Sequence, residues 1–297
     1  MPTATPTTTA TLEARRVTAL PRKRDTIQRF ARRPFSMTQR FILTDIADDI
    51  GTITLHQPAK RNALSQDLIC EIIAALGCFH DQGVRVVVLR AQPGAAVWSS
   101  GHDVHELPKA GHDPLGWQDP LRILIRELEA FSAPVIALIE GGVWGGACEL
   151  VFACDMIVAT PEATFAITPA KLGVPYNATG LLTFLNVAPP HIAKELLFTG
   201  RPMSAARLER QGIINHVVSA DEITAFTQEM ARAITRNSPL AIGVMKEQLR
   251  ILAAAHALSP ADFERIQGLR RVVYSSQDYA EGILAFKEKR TPQYQGR

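Results

Sequence analysis

The sequence lacks any apolar run long enough to cross a bilayer, which excludes a spanning helix and leads to the expectation of a soluble protein with no membrane partner. Cysteine is scarce. Cys70, Cys78, Cys148 and Cys154 fall in apolar or helical patterns without the paired spacing of a metal site, and read as buried free thiols of a reducing compartment. A cytoplasmic location is therefore expected, unless residues 1–36 direct the chain to an organelle. A strong charge of one sign is also missing. The net charge of +3 comes from residues 1–36, which hold eight basic and two acidic residues; the remainder holds 24 basic and 27 acidic. That mildly acidic body excludes an extended nucleic-acid face. His102-x-x-His105-Glu106 comes nearest to a metal motif, but it lacks a third partner and no metal is expected.

What is present centres on Glu140–Cys154, EGGVWGGACELVFAC. An apolar run, Pro134–Ile139, leads into small residues, and Ala147–Ala153 then suits a buried helix. Strand, glycine turn and helix together aim unpaired N–H groups at one point, at the positive end of the helix dipole. Gly145 and Gly146 would let a ligand approach the backbone. Taken alone, the pattern fits an ordinary tight turn equally well.

A second glycine turn, Ser99-Ser100-Gly101-His102-Asp103-Val104-His105-Glu106-Leu107, follows the expected strand Val84–Arg90. The two segments together resemble the crotonase (enoyl-CoA hydratase/isomerase) superfamily over roughly Met37–Tyr294. The resemblance implies an α/β fold: a crotonase-like spiral of ββα units, residues 37–230, then a C-terminal helical trimerisation region, residues 231–297. It also implies an acyl-CoA substrate, a homotrimer or dimer of trimers, and no separate cofactor, coenzyme A being part of the substrate. The N–H groups of His102 and Gly146 would hold the thioester oxygen, with Ser100, Gly101, Asp103 and Val104 around the first donor. The loop Pro58–Ser65, containing Ala63, would lie against the CoA. Lys289, in Phe286–Pro292, would reach the CoA phosphates, although a surface lysine can equally do nothing specific. Read as residues, Asp103 and Glu106 suit bracing their own turn, His105 a structural place, and Trp144 packing.

A hydratase of this family uses Glu149 and a second glutamate after the strand ending near Ile167. Here Thr168–Tyr176 contains no acid, so the pair needed to activate water and deliver a proton is incomplete. The segments G-H-D-x-H-E-L-P, V-W-G-G-A, T-P-x-x-L-G-V-P-Y-N and, at Phe263–Gly268, F-E-R-I-Q-G closely resemble the methylmalonyl-CoA decarboxylase subgroup. That implies loss of CO₂ through a thioester enolate stabilised by the two N–H groups. Tyr176 would hold the departing carboxylate out of the thioester plane and Thr168 would line the same pocket. Tyr176 could instead be an ordinary half-buried tyrosine, and Glu149 either a leftover or an aid to protonation.

Along the chain, Phe41–Ile46 and Ile50–His56 read as a hairpin turning at Asp48-Asp49, and Ser65 as the N-cap of a helix over Asp67–His80. Pro108–Asp119 reads as a mobile loop, Leu121–Leu128 as a helix, Met156–Ala159 and Thr164–Ile167 as short strands, and Ile213–Val218 as a strand-like interruption of later helices. Residues 1–36 read as disordered, as an organelle leader, or as the product of an upstream start with Met37 the true one; the last is preferred because the resemblance begins directly after Met37. Rival functions are a hydratase or isomerase on the same scaffold, decarboxylation of malonyl- or ethylmalonyl-CoA, and a non-catalytic RNA-binding scaffold using the basic leader.

Overall fold

Asp48 and Asp49 turn the first hairpin, both at positive φ (53° and 61°), a conformation that short polar side chains tolerate. They join β1 (Ile42–Ala47) to β2 (Ile50–Leu55) with Ile42 opposite Leu55. This computed structural model describes residues 40–255 and 257–297. Every expectation attached to residues 1–36 lies outside the described residues.

Helix α1 (Gln66–Asp81) begins at Ser65, whose Oγ accepts the Leu68 N–H at 3.4 Å. The chain then makes β3 (Val86–Ala91), β4 (Val97–Ser99), α2 (Pro120–Ala130), β5 (Val135–Ile139), β6 (Gly142–Trp144), α3 (Gly146–Phe152), β7 (Met156–Ala159) and β8 (Thr164–Ala166). Strands β3, β5 and β7 run parallel in one sheet, while β4, β6 and β8 run parallel in another. Each turn of chain thus gives one strand to each sheet before a helix returns, which is the spiral of ββα units that the sequence implies. Two strands of the second sheet, β4 and β6, have three residues each, and neither is among the strands expected from the sequence.

The remaining elements are α4 (Ala178–Val187), α5 (Pro190–Thr199), β9 (Met203–Ser204), α6 (Ala205–Arg210), β10 (His216–Val217), α7 (Ile223–Thr235), α8 (Pro239–Ala253), α9 (Pro260–Tyr274) and α10 (Gln277–Lys287). Within Ile213–Val218 the strand is confined to two residues, paired with β7. The central strands are apolar on both faces because both are covered. Val87, Leu89, Ala137 and Ile139 join the core formed with α1, α2 and α3, while Val86, Val88, Ile136 and Leu138 pack under Ile223 and Ala231 of α7. Positions 230 and 231, where the helical region was expected to begin, lie inside α7. No helix of the described residues is long and apolar enough to cross a membrane. None of the four cysteines forms a disulfide, but only Cys148 and Cys154 are buried; Cys78 is exposed and Cys70 half-buried, correcting the expectation for those two.

Helix α8 is fastened to the spiral by Lys246. Its Nζ donates to the carbonyls of Leu128 (3.2 Å) and Ala133 (3.1 Å) and pairs with Asp155 Oδ2 (2.7 Å). Lys246→Met leaves two carbonyls and a carboxylate without this donor, and should cost about 2 kcal/mol. Thermal unfolding checks this: an unchanged midpoint would mean that the lysine holds nothing.

Candidate active site

Two glycines bring separate turns together. Gly101 has φ 85° and Gly145 φ 57°, both in the region that disfavours a side chain. The Gly101 carbonyl accepts the Leu64 N–H at 2.8 Å, so the His102 N–H of the same planar peptide faces the opposite way. Gly146 is the first residue of α3, where an N–H has no partner within the helix. Among the described residues, neither the His102 nor the Gly146 N–H has a backbone acceptor. The turns nearly touch: a Cβ on Gly146 would lie 3.6 Å from the His102 nitrogen, and one on Gly101 would lie 3.1 Å from the Gly146 nitrogen. Thr168 closes over the second turn, its hydroxyl 3.2 Å from where a Cβ on Gly145 would sit.

The loop before α1 clamps the first turn. Ser100 donates its N–H to the Arg61 carbonyl (2.9 Å), and Ser99 Oγ donates to the carbonyl of Asn62 (2.7 Å). Buried Asn62 bridges the other way, donating to the Trp98 carbonyl at 2.9 Å. Ala63 is therefore buried beside the Leu64–Gly101 bond. The acids of the second motif brace the turn: Asp103 accepts the His105 N–H (3.0 Å) and meets Lys60 (3.4 Å), and Glu106 accepts the Gln66 N–H at the start of α1 (2.8 Å). Val104 is buried beneath them and His105 is exposed.

A buried polar chain runs behind both donors. His102 Nε2 lies 2.9 Å from Asp119 Oδ2, and Asp119 Oδ1 caps α2 by accepting the Arg122 N–H (3.2 Å). Arg122 donates through Nη1 to Glu149 Oε1, and Glu149 lies beside the Tyr176 ring, a Cβ on Gly180 meeting Glu149 Oε1 and the ring edge each at 2.8 Å. Burial pushes the Glu149 carboxyl up to about 7, against the pull of Arg122 and Tyr176. Burial and then the Glu149 charge hold the Tyr176 phenol well above its usual value, so it stays protonated. Sequence reading missed Asp119 and Arg122. The signals were there: Asp119-Pro120 is a helix start, and Arg122 interrupts the apolar stripe Leu121, Leu124, Ile125, Leu128.

A family model described as enoyl-CoA hydratase/isomerase matches residues 45–297. The chain belongs to the enoyl-CoA hydratase/isomerase family. Among similar proteins, the methylmalonyl-CoA decarboxylase of Escherichia coli K12 is 44% identical over 260 residues, covering 88% of this chain and all of that one. The carnitinyl-CoA dehydratase of the same strain is 34% identical, covering 82% and 94%. A solved methylmalonyl-CoA decarboxylase in complex with 2-nitronate-propionyl-CoA aligns with TM-score 0.86 at 44% identity, over 88% of this chain and all of that one; one complexed with 2S-carboxypropyl-CoA aligns equally well.

In this enoyl-CoA hydratase/isomerase family member, the segment expected to be a mobile loop is anchored at several points. Arg270 grips both oxygens of Asp113 (2.9 and 2.5 Å) and Gln267 Oε1 (3.2 Å), so the residues around F-E-R-I-Q-G serve to hold that segment. Tyr279 donates to the Pro108 carbonyl (2.8 Å) and Asn177 Nδ2 to that of Leu115 (2.9 Å). Tyr176 packs beside Leu115, Val174 and Tyr279, edge-on to Phe184. Lys289 stands apart from this cluster, exposed on the tail after α10.

Proposed function

We propose that the protein decarboxylates methylmalonyl-CoA to propionyl-CoA, with the N–H groups of His102 and Gly146 holding the thioester oxygen as it becomes an enolate oxyanion. The observation that carries this is the pair of neighbouring N–H groups without backbone acceptors, with Glu149 behind them beside a phenol on an acid-free turn. The similarity to methylmalonyl-CoA decarboxylase, extending over 88% of the chain, supports it.

The electron pair of the C–CO₂ bond passes into the thioester, giving an enolate and neutral CO₂, and Cα then takes a proton. No base is needed to begin. The chief requirement is a stabilised oxygen, which two fixed donors supply without reorganising. The Tyr176 hydroxyl holds the carboxylate so that the breaking bond overlaps the carbonyl π system, and Thr168 lines the same pocket. At about 7, the Glu149 carboxyl carries a proton in part of the molecules at neutral pH, which favours a part in protonating the enolate over a leftover role. Coenzyme A enters with the substrate, and the reaction balances without a further cofactor. Lys289 is assigned to the CoA phosphates. A homotrimer or dimer of trimers would cover the apolar residues exposed on α8 and α9, among them Leu240, Leu249, Leu252 and Val272.

Mass spectrometry of the products from a panel of acyl-CoAs tests the reading. Propionyl-CoA and CO₂ should form from methylmalonyl-CoA. Hydration of crotonyl-CoA with no CO₂ released would make the protein a hydratase instead. Tyr176→Phe should lower kcat for decarboxylation by about 10- to 100-fold, through loss of alignment. Undiminished turnover would remove the tyrosine from the mechanism.

A further inference from the structure

The mechanism uses the main chain of His102 and leaves its imidazole unexplained. That ring is held at both nitrogens. Nε2 lies 2.9 Å from Asp119 Oδ2, and Nδ1 lies 3.2 Å from the carbonyl oxygen of Asp103. A carbonyl oxygen only accepts, and so does an ionised carboxylate. A neutral imidazole has one N–H and would set a nitrogen lone pair against one of these oxygens; the doubly protonated ring satisfies both. The two side chains are 14% and 8% exposed, so the pair is largely shielded from water.

We propose that Asp119 is a positioning residue that keeps His102 as an imidazolium, bracing the turn that presents the first oxyanion donor and placing a positive charge beside the nascent enolate oxygen. The brace spans two elements, because Asp119 also caps α2, whose residue Leu121 would meet a Cβ on Gly146 at 2.7 Å. One carboxylate thus registers the two donor turns against each other. The peptide is pinned twice: the Gly101 oxygen by Leu64, and the His102 ring by Asp119. Burial pulls the imidazole down, but the hydrogen bond and charge of Asp119, then the Asp103 carbonyl and Glu106, outweigh it and leave the ring raised above its usual value. The other charges around the turn are the Lys60–Asp103 pair from the loop before α1 and the Arg122–Glu149 pair behind α2.

The inference rests on the decarboxylase reading for the purpose of the donor, but not for the state of the ring. Asp119→Asn separates charge from folding, since asparagine caps a helix as well as aspartate does. In the full-length protein, ¹⁵N-histidine NMR should show a ring protonated at both nitrogens at pH 7, assigned by its absence from a His102→Asn protein. In Asp119→Asn that ring should titrate at lower pH. kcat should fall by about tenfold with KM nearly unchanged, less than the 10²–10³ of losing a donor outright. The alkaline limb of the kcat profile, where the ring loses its proton, should move to lower pH, and the Glu149 titration, which the Asp119 charge also raises, should move down with it. A neutral ring at pH 7 overturns the proposal, as does an Asp119→Asn protein that keeps the original kcat and profile. So does one that loses kcat with the ring titration unmoved, which would make the contact merely structural. A protein that shows the imidazolium and the Asp119→Asn shift, yet releases no CO₂, loses its assigned substrate and keeps the ion pair.

Discussion

Gly101→Ala is expected to lower kcat for decarboxylation by about 10²–10³ in a protein that still folds. An L-residue at φ 85° pays a conformational cost of about 1–2 kcal/mol, which a domain of this size survives. The functional damage comes from space. The added Cβ would lie 2.3 Å from the Trp144 carbonyl oxygen and 3.1 Å from the Gly146 nitrogen. These are backbone atoms of the facing turn and cannot rotate away, so the turns must separate. Two donors that no longer converge on one oxygen stabilise the enolate no better than water does. KM should change far less than kcat, because the handle of the substrate is bound elsewhere. Gly94→Ala is the control: φ is positive there too, at 72°, but nothing lies within 4 Å of the added atom. Equal kcat in the two variants would mean that closeness of the turns is irrelevant to turnover, and the oxyanion account would fail.

Those turns were legible in the sequence because glycine at a fixed place after a strand has few uses. Gly101, Gly145 and Gly146 stand where the chain must bend sharply or let another backbone approach. The hairpin at Asp48-Asp49 and the cap at Ser65 were legible for the same reason, each being a local demand on one or two residues. The second sheet was not. Strands Val97–Ser99 and Gly142–Trp144 are too short to show alternation, and they exist because successive turns of the spiral stack on one another. Asp119 and Arg122 were hidden differently. Their partners, His102 and Glu149, lie 17 and 27 residues away, and nothing local marks an ion pair that the fold completes. Pro108–Asp119 misled because its composition suits a flexible loop, whereas its anchors come from Asn177, Arg270 and Tyr279, far along the chain.

Arg122→Met should cost about 3–5 kcal/mol at pH 9 and much less at pH 6. Arg122 and Glu149 are 6% and 1% exposed in their side chains, so neither charge has water to fall back on. Glu149 sits at about 7 in the folded protein against an ordinary 4.5, and a carboxyl raised in this way works against the fold once it ionises. Its contribution is fully present below the ordinary value and is lost as pH rises through about 7. Without the guanidinium, burial meets less opposition, the folded value climbs further, and the loss extends to higher pH. At pH 6 the carboxyl is largely protonated in both proteins, so the variant lacks little more than a hydrogen bond and some packing. At pH 9 it must either ionise without a partner or hold its proton against the solvent. Thermal unfolding at the two pH values reads the difference, and a gap of equal size at both would show that ionisation of Glu149 plays no part. Arg122→Met combined with Glu149→Gln should recover most of the loss at pH 9, because the damage lies in the stranded charge and not in the missing arginine.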